Sequence, residues 1–408
     1  MALADLPAGC IDYDPCADGI DGARLALPSA VPGDLTAASY PRPCLFRPRA
    51  QVVPEQAAPR PEPARSHVIE LRTHRGALPA DLRADWELLL DEDPDGTIFH
   101  GPRYLGVWAS TLGAGTPVRA HAVHRDGRLI GVIPDANDLS GSAVGPEEIR
   151  RFQGGTEVTD YLGPVSRRED RYDVADAYVA NLAADVDWDE FVAGGLPDDS
   201  GWPDAFRSAF RVHGLPVIED EREDVCPVVR LPGSGEAYFE GLPGRTRQEL
   251  TRKTRKLARD AGEIDLVQVP SDEVVGRLDA FLDQAAEAVP EKAGFFGRQE
   301  MHDWFKALAT EFADDDVFRL HELSVGGLLA ASTVSLVRRG HWGLYNSAFD
   351  PGLGSLAPGM VMITLLIDQA ADEGYTQFDL LRGDEAYKYR FGAQDRVLRR
   401  LSVTRSHT

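Results

Sequence analysis

Lysine is almost missing from this chain: there are five, all after position 250, against 38 arginines. Acidic residues outnumber basic ones 66 to 43, giving a formal net charge of −23. A surface charged in that sense repels a polyanion, which argues against nonspecific nucleic-acid binding. No apolar run reaches the length of a membrane helix, and Asp5, Asp12 and Asp14 stand where a signal peptide needs a basic and then an apolar stretch. Neither a span nor a secretory leader is expected, and the expected compartment is the cytoplasm. Cysteine is scarce as well. Cys10, Cys16 and Cys44 lie near the start and Cys226 stands alone, a spacing that fits no zinc or thioredoxin pattern. Free, reduced thiols are expected, since intracellular disulfides are uncommon. HExxH, a P-loop and a GxSxG elbow are also absent, and no Cys is plausibly placed beside a His, which argues against zincin and hydrolase-triad chemistry.

What is present suffices for two domains, at 408 residues. Residues 1–65 are rich in Pro and Ala without any sustained period, as in Pro41-Arg42-Pro43, and are expected to be a disordered or strap-like segment. From Val68 the pattern turns globular. A strand is expected over Val68–Thr73, helices over Asp81–Leu90 and Pro102–Leu112, and a hairpin from Val118–His124 and Leu129–Ile133 across Asp126-Gly127. A second hairpin is expected from Val317–Ser324 and Leu328–Val337. Laid without gaps, VRAHAVHRDGRLIG and FRLHELSVGGLLAA share Arg119 with Arg319, His121 with His321, Gly127 with Gly327 and Leu129 with Leu329. After each hairpin come a Tyr-bearing strand (Val158–Leu162; His341–Ala348), a helix (Arg171–Ala184; Gly359–Ala371) and a further strand, Thr376–Leu381 in the second set. That repeated order predicts a duplicated fold.

The repeats differ in the loop before the helix. The second has Gly352, Gly354, Pro358 and Gly359, so that backbone N–H groups can converge on a pyrophosphate at the positive end of the helix. The first reads Ser166-Arg167-Arg168-Glu169-Asp170-Arg171, without glycine and with carboxylates that oppose a phosphate. Between the repeats, Arg245, Arg247, Arg252, Lys253, Arg255, Lys256 and Arg259 form a basic helix. It reads either as a site for an anionic substrate or as a solvated face paired with the chain's own carboxylates.

Near the C-terminus, the stretch FDLLRGDEAYKYRF starts as a strand at Phe378 and breaks at Gly383 into a run of acids, bases and phenols suited to a cleft. Gly374, Phe378, Asp379, Arg382, Gly383, Asp384, Glu385, Tyr387, Lys388, Phe391 and Gly392 fit the G…FDxxRGDExYKxxFG pattern of the CelD-type and FemAB-like acyltransferases. From about Arg245 to Val403 the chain resembles their GNAT domain. The resemblance implies an α/β (α+β) architecture of tandem GNAT-like domains, each a mixed, mostly antiparallel sheet flanked by helices. A degenerate copy is expected over residues 66–240 and an acyltransferase domain over 241–408.

It also implies direct transfer from acetyl-CoA or another acyl-CoA, without a metal, to a small-molecule, sugar or cell-envelope acceptor. The expected donor-binding residues are Ser355, Leu356, Pro358, Gly359, Met360 and Arg382. Candidates for proton removal are Asp379, Glu322 and Asp384, and for protonation of the leaving group Tyr387 or Tyr345. Lys388 could neutralise a phosphate or the oxyanion, and Asp379 has the alternative of a structural ion pair. Arg252, Arg255 and Tyr161 are the expected acceptor contacts. Two further readings stay open: a Fem-type transferase using aminoacyl-tRNA, for which Asp272–Phe312 is short and broken by Pro290, Gly294 and Gly297, and a catalytically silent tandem scaffold.

Overall fold

The computed structural model describes residues 67–137, 148–288 and 293–405. The expectations for residues 1–65, with Cys10, Cys16 and Cys44, lie outside the described residues. Residues 67–408 form one compact unit.

The first half starts with strand β1 (Ile69–Arg75), helix α1 (Ala80–Glu92), helix α2 (Pro102–Ser110) and the hairpin β2 (Val118–Arg125) and β3 (Arg128–Asn137). Asp126 and Gly127 both have positive φ, 51° and 82°, the turn whose twist suits two right-twisted strands. Then follow β4 (Ile149–Phe152), the two-residue β5 (Val165–Ser166), α3 (Arg171–Ala184), β6 (Glu190–Pro197), α4 (Trp202–Val212) and the long β7 (Val217–Arg230). The second half runs through α5 (Gly235–Gly241), α6 (Gly244–Ala261), β8 (Ile264–Gln268), α7 (Ser271–Ala288), α8 (Ala293–Phe296) and α9 (Gln299–Phe312). It continues with β9 (Phe318–Val325), β10 (Leu328–Arg338), β11 (His341–Phe349), α10 (Pro358–Asp372), β12 (Gln377–Asp379) and β13 (Gln394–Thr404).

All strands join one mixed, mostly antiparallel sheet in the order β1-β2-β3-β4-β6-β13-β7-β12-β11-β10-β9-β8, with β5 beside β3. The order reads alike from either edge. In each half a hairpin leads to a strand that lies parallel to the one after the helix, β4 with β6 and β11 with β12. At the centre the halves trade strands: β13 lies against β6, and β7 lies against β12. Cutting the chain at its midpoint would therefore leave each half without one of its own sheet neighbours.

One sequence expectation is corrected. Val158–Leu162 is no strand; its role in the strand plan belongs to Ile149–Phe152. Gly154 and Gly155, at φ 130° and 69°, turn the chain out of the sheet, and the following segment is buried as irregular backbone tied by Thr159 Oγ1 to Gly154 O at 2.6 Å. Strand Thr376–Leu381 is also shorter than expected. Leu381 has φ 56° and its amide donates to Asp379 Oδ1 at 2.8 Å, a side-chain turn that ends β12 at Asp379.

Side-chain alternation sorts the second half into two faces. On one face Tyr345, Leu381, Phe318 and Leu320 meet α7, α9, α1 and α2. On the other, Leu344, Phe349, Trp342 and Phe378 meet α5, α6 and α10. Gly326 fastens α6 to this frame: its amide donates to Glu263 O at 2.9 Å, and a Cβ there would lie 2.5 Å from Ala261 O.

Candidate active site

β11 and β12 are paired only over His341–Gly343 and Gln377–Asp379. Beyond Asp379 the chain leaves β11 and stays with β7, through Leu380 N to Pro227 O and Gly383 N to Val225 O, both at 2.9 Å. Two parallel strands that start as neighbours and then part leave a wedge between Leu344–Phe349 and Leu380–Gly383. The register of β10 slips at Val334/Ser335, where Asn346 and Leu344 are paired and Tyr345 between them is not, so Tyr345 is the extra residue of a bulge at the wedge. Tyr345, Asn346 and Ser347 are partly exposed.

The turn Pro351–Leu356 leads into α10 on one side of this wedge. Asp350 accepts from Gly352 N at 2.7 Å, and Ala357, at φ 55°, starts the helix. No side chain caps α10, so the N–H groups of Gly359 and Met360 in its first turn point out of the amino end without helical partners. Ser355 is exposed, Leu356, Gly359 and Met360 are partly exposed, and Pro358 is buried. These five expected donor contacts are therefore gathered at one helix end.

The other side of the wedge is lined from the first half. The buried segment after β4 carries Val158, Asp160 and Tyr161 up to the second half. Val158 O accepts from Tyr104 at 2.6 Å and from Tyr345 at 2.8 Å, and Trp304 Nε1 donates to the Tyr345 hydroxyl at 3.0 Å. Tyr161 donates to Asp379 Oδ2 at 2.5 Å, and His341 Nε2 lies 3.0 Å from the same oxygen. Burial by itself would raise the Asp379 carboxyl, but the bonds and charge of His341, with Tyr161 and the Leu381 amide, outweigh it and hold the group below its ordinary value. Asp379 is thus a buried, fully bonded carboxylate at the seam.

Asp160 behaves in the opposite way. Its Oδ1 accepts from Arg382 N at 3.0 Å, while Oδ2 takes no hydrogen bond among the described residues. Burial pushes this carboxyl up, and the cations of Arg382 and Lys388 offset that only in part. The residue is half-buried. Arg382 Nη2 also donates to Asp160 O at 3.0 Å, and its Nη1 lies 3.6 Å from Glu223, so this guanidinium clamps the two halves together.

The remaining expected residues are scattered. Lys388 is buried and places its ammonium on three carbonyls, Leu381 at 2.9 Å, Arg382 at 2.7 Å and Gly383 at 3.1 Å, with Glu385 at 2.9 Å. It holds the 381–383 turn from beneath. Asp384 is exposed. Glu322 lies 3.6 Å from Arg277 of α7. Tyr387 is half-buried against the α10 side, with burial and the charge of Glu385 pushing its hydroxyl up. Arg252 and Arg255 lie exposed on α6, on the α10 face, away from Tyr161. Sequence reading found Tyr161 and missed its neighbour Asp160. The available signal was an acid set between Val158 and Leu162, two large apolar residues. Among the described residues, no group of three or more His, Cys, Asp or Glu is placed to hold a metal ion. Cys226 is a free, buried thiol.

Residues 244–389 match the family model of the acetyltransferase (GNAT) domain. The solved structure of FemX superposes with a TM-score of 0.58 at 10% identity, over 81% of this chain and 96% of FemX. The structure of L-PGS from Bacillus licheniformis gives 0.49 at 12% identity, over 79% and 91%. A tandem GNAT protein from the clavulanic acid biosynthesis pathway gives 0.42 at 14%, over 83% and 100%. Comparison with curated proteins gives no match. Residues 244–389 thus match a GNAT domain, and the fold over most of the chain is like that of FemX. No helix among the described residues is long and apolar enough to cross a membrane.

Proposed function

We propose that this protein transfers an acyl group from acyl-CoA to an amine or hydroxyl of a small-molecule, sugar or cell-envelope acceptor, with the donor held by the second half alone. The observation that carries the reading is the wedge between β11 and β12, with a glycine-bearing turn and an uncapped α10 end on one face and Asp160 on the other. The donor's diphosphate rests on the N–H groups of Gly359 and Met360, where the helix dipole favours anions. Its thioester threads between the strands toward Tyr345.

In the reaction Asp160 takes the proton of the attacking amine or hydroxyl through its unbonded Oδ2. The nucleophile forms a bond to the thioester carbonyl carbon, the C–S bond breaks, and the thiolate takes a proton. A carboxylate whose value is raised by burial is a better base than a fully bonded one, so Asp160 suits this task and Asp379 does not. Asp379 instead orients Tyr161 and His341. Tyr387, kept protonated by burial on the donor face, returns a proton to the thiolate. Lys388 and Arg382 position the 381–383 turn rather than touching the donor.

Likeness to the FemX structure over 81% of this chain favours a second reading, a Fem-type transferase in which the donor is an aminoacyl-tRNA. Calorimetric titration separates the two. Micromolar binding of acetyl-CoA, and acceptor-dependent thiol release abolished in Asp160→Asn, support acyl-CoA; no binding of either acetyl-CoA or CoA rejects it.

A further inference from the structure

The amino end of α10 offers N–H groups for one anionic group, whereas coenzyme A carries a diphosphate and, separately, a 3′-phosphate. We propose that the cationic stripe of α6 is the site for that second phosphate, continuous with the α10 end. The assignment rests on the acyl-CoA reading.

Several observations support it. Leu250 and Leu257 dock α6 onto the same face of the sheet as α10. Arg252, Arg255, Lys256 and Arg259, at spacings of three, four and seven, then share the opposite side of the helix. They line a groove of about 690 Å³ that contains no carboxylate. The groove meets the donor turn directly, because Lys256 Nζ donates to Ser355 O at 3.0 Å, two residues before Ala357 opens α10. Arg252 lies one helical turn from Lys256, about 6 Å along the axis.

Two of these cations are also left without ion-pair partners in a chain where acids abound. Among the described residues neither Arg252 nor Arg255 has an ion pair, although the formal charge is −23. Of the two carboxylates nearest on the helix, Glu249 is engaged with Arg390 at 3.2 Å and Asp260 with Arg259 of the stripe itself at 2.6 Å, so neither pairs Arg252 or Arg255. Lys253, beside them, is held below its ordinary value by burial and by the like charges of Arg390, Arg252 and Lys256. Such mutual repulsion is relieved when a phosphate binds. The placement on the α10 face, opposite Tyr345, Asp160 and Tyr161, assigns these arginines to the donor rather than to the acceptor.

The test compares CoA with 3′-dephospho-CoA by titration calorimetry on the full chain, on Arg252→Ala/Arg255→Ala and on Gly359→Glu. The wild type is expected to bind CoA about tenfold or more tightly than 3′-dephospho-CoA, the size of one charge-assisted contact. The double variant, altered only at exposed side chains, is expected to bind both ligands alike and as weakly as the wild type binds 3′-dephospho-CoA. Equal wild-type affinities, with CoA binding unchanged in the double variant but lost in Gly359→Glu, overturn the α6 site and leave the acyl-CoA reading standing. No CoA binding by the wild type overturns both. Loss of binding to bulk tRNA in the double variant, with CoA binding intact, overturns the site in favour of an RNA strand.

Discussion

In the first half the chain leaving β4 turns back and packs beside β6; in the second, the chains leaving β11 and β12 part, and Tyr345 and Arg382 on either side are met by Val158–Asp160 of the first half. Leu162 N donates to Gly195 O at 3.2 Å, and a Cβ on Gly195 would sit 2.9 Å from the Leu162 amide, so this segment is pressed into the space beside β6. Every residue from Val158 to Ser166 except Asp160 is buried. The helix ends differ in the same sense. The start of α3 is covered by ion pairs: Arg171 holds Asp93 at 2.7 Å and Asp95 at 2.9 Å and donates to Ser200 O, Arg125 holds Asp170, and Arg167 holds Glu92. At α10 no side chain does this. On the proposed function, one copy of the repeated scaffold serves as packing and the other takes the ligand. The packed copy also delivers Asp160 and Tyr161 to the open one.

The sharpest way to break this comparison is Asp160→Asn. If the filled half supplies the base, kcat falls about 10²- to 10⁴-fold, and the rise of kcat/KM with pH through the raised carboxyl value disappears from a pH–rate profile. Stability moves the other way. Because the folded value lies above the unfolded one, this carboxyl favours folding only below its unfolded value, and that contribution is lost as pH rises through the folded value. Asp160→Asn is therefore expected to raise the unfolding midpoint at neutral pH in urea. Lower activity with lower stability would point to a structural acid.

Arg171→Ala comes next. It strips a buried guanidinium from Asp93 and Asp95 and is expected to cost about 3–5 kcal/mol in denaturant unfolding, as when one partner of a buried pair is removed. Affinity for CoA in the folded fraction should be unchanged if the first half binds no donor. At α10, Gly359→Glu should leave the fold intact, since a Cβ there meets only Phe349 at 3.7 Å. It should nonetheless weaken CoA binding about tenfold or more by opposing a phosphate at the helix end. Replacing Glu169, before α3, should change nothing in the same titration.

The smallest effect concerns the paired histidines. His121 bonds Asp135 at 3.0 Å and Thr73 at 2.9 Å, whereas both ring nitrogens of His321 are buried without partners among the described residues. The position matching Asp135 is Ser335, which instead accepts from Trp342. Burial, with help from Arg319, pushes His321 down to about 4 from the ordinary 6.5. As pH falls through that window the unfolded chain takes a proton that the native ring refuses, so stability declines. His321→Leu should flatten the loss between pH 6.5 and 4 in thermal melts; an unchanged slope would assign the acid sensitivity to another group.

Much of this plan was legible in the residues. Helix Arg171–Ala184 was read to the residue and both hairpins to within a few, because Asp126-Gly127 and Gly326-Gly327 name their turns and local periodicity names the strands. The glycine-bearing turn before α10 was legible for the same reason. The strand at Val158–Leu162 was misread because alternating Val, Thr, Tyr and Leu favour a strand, and only the close approach to Gly195 keeps that segment out of the sheet.

By itself, then, the sequence determined the local elements, the repeat and the charged turn at Gly383, all of which depend on neighbours within a few positions. Which charges would be spent on the fold, as with Lys388, Arg382 and Asp379, and which would be left over, as with Arg252, was decided by tertiary structure alone. Those outcomes depend on partners such as Asp160 with Arg382 and Tyr161 with Asp379, more than 200 positions apart, brought together by the crossing of β7 and β13.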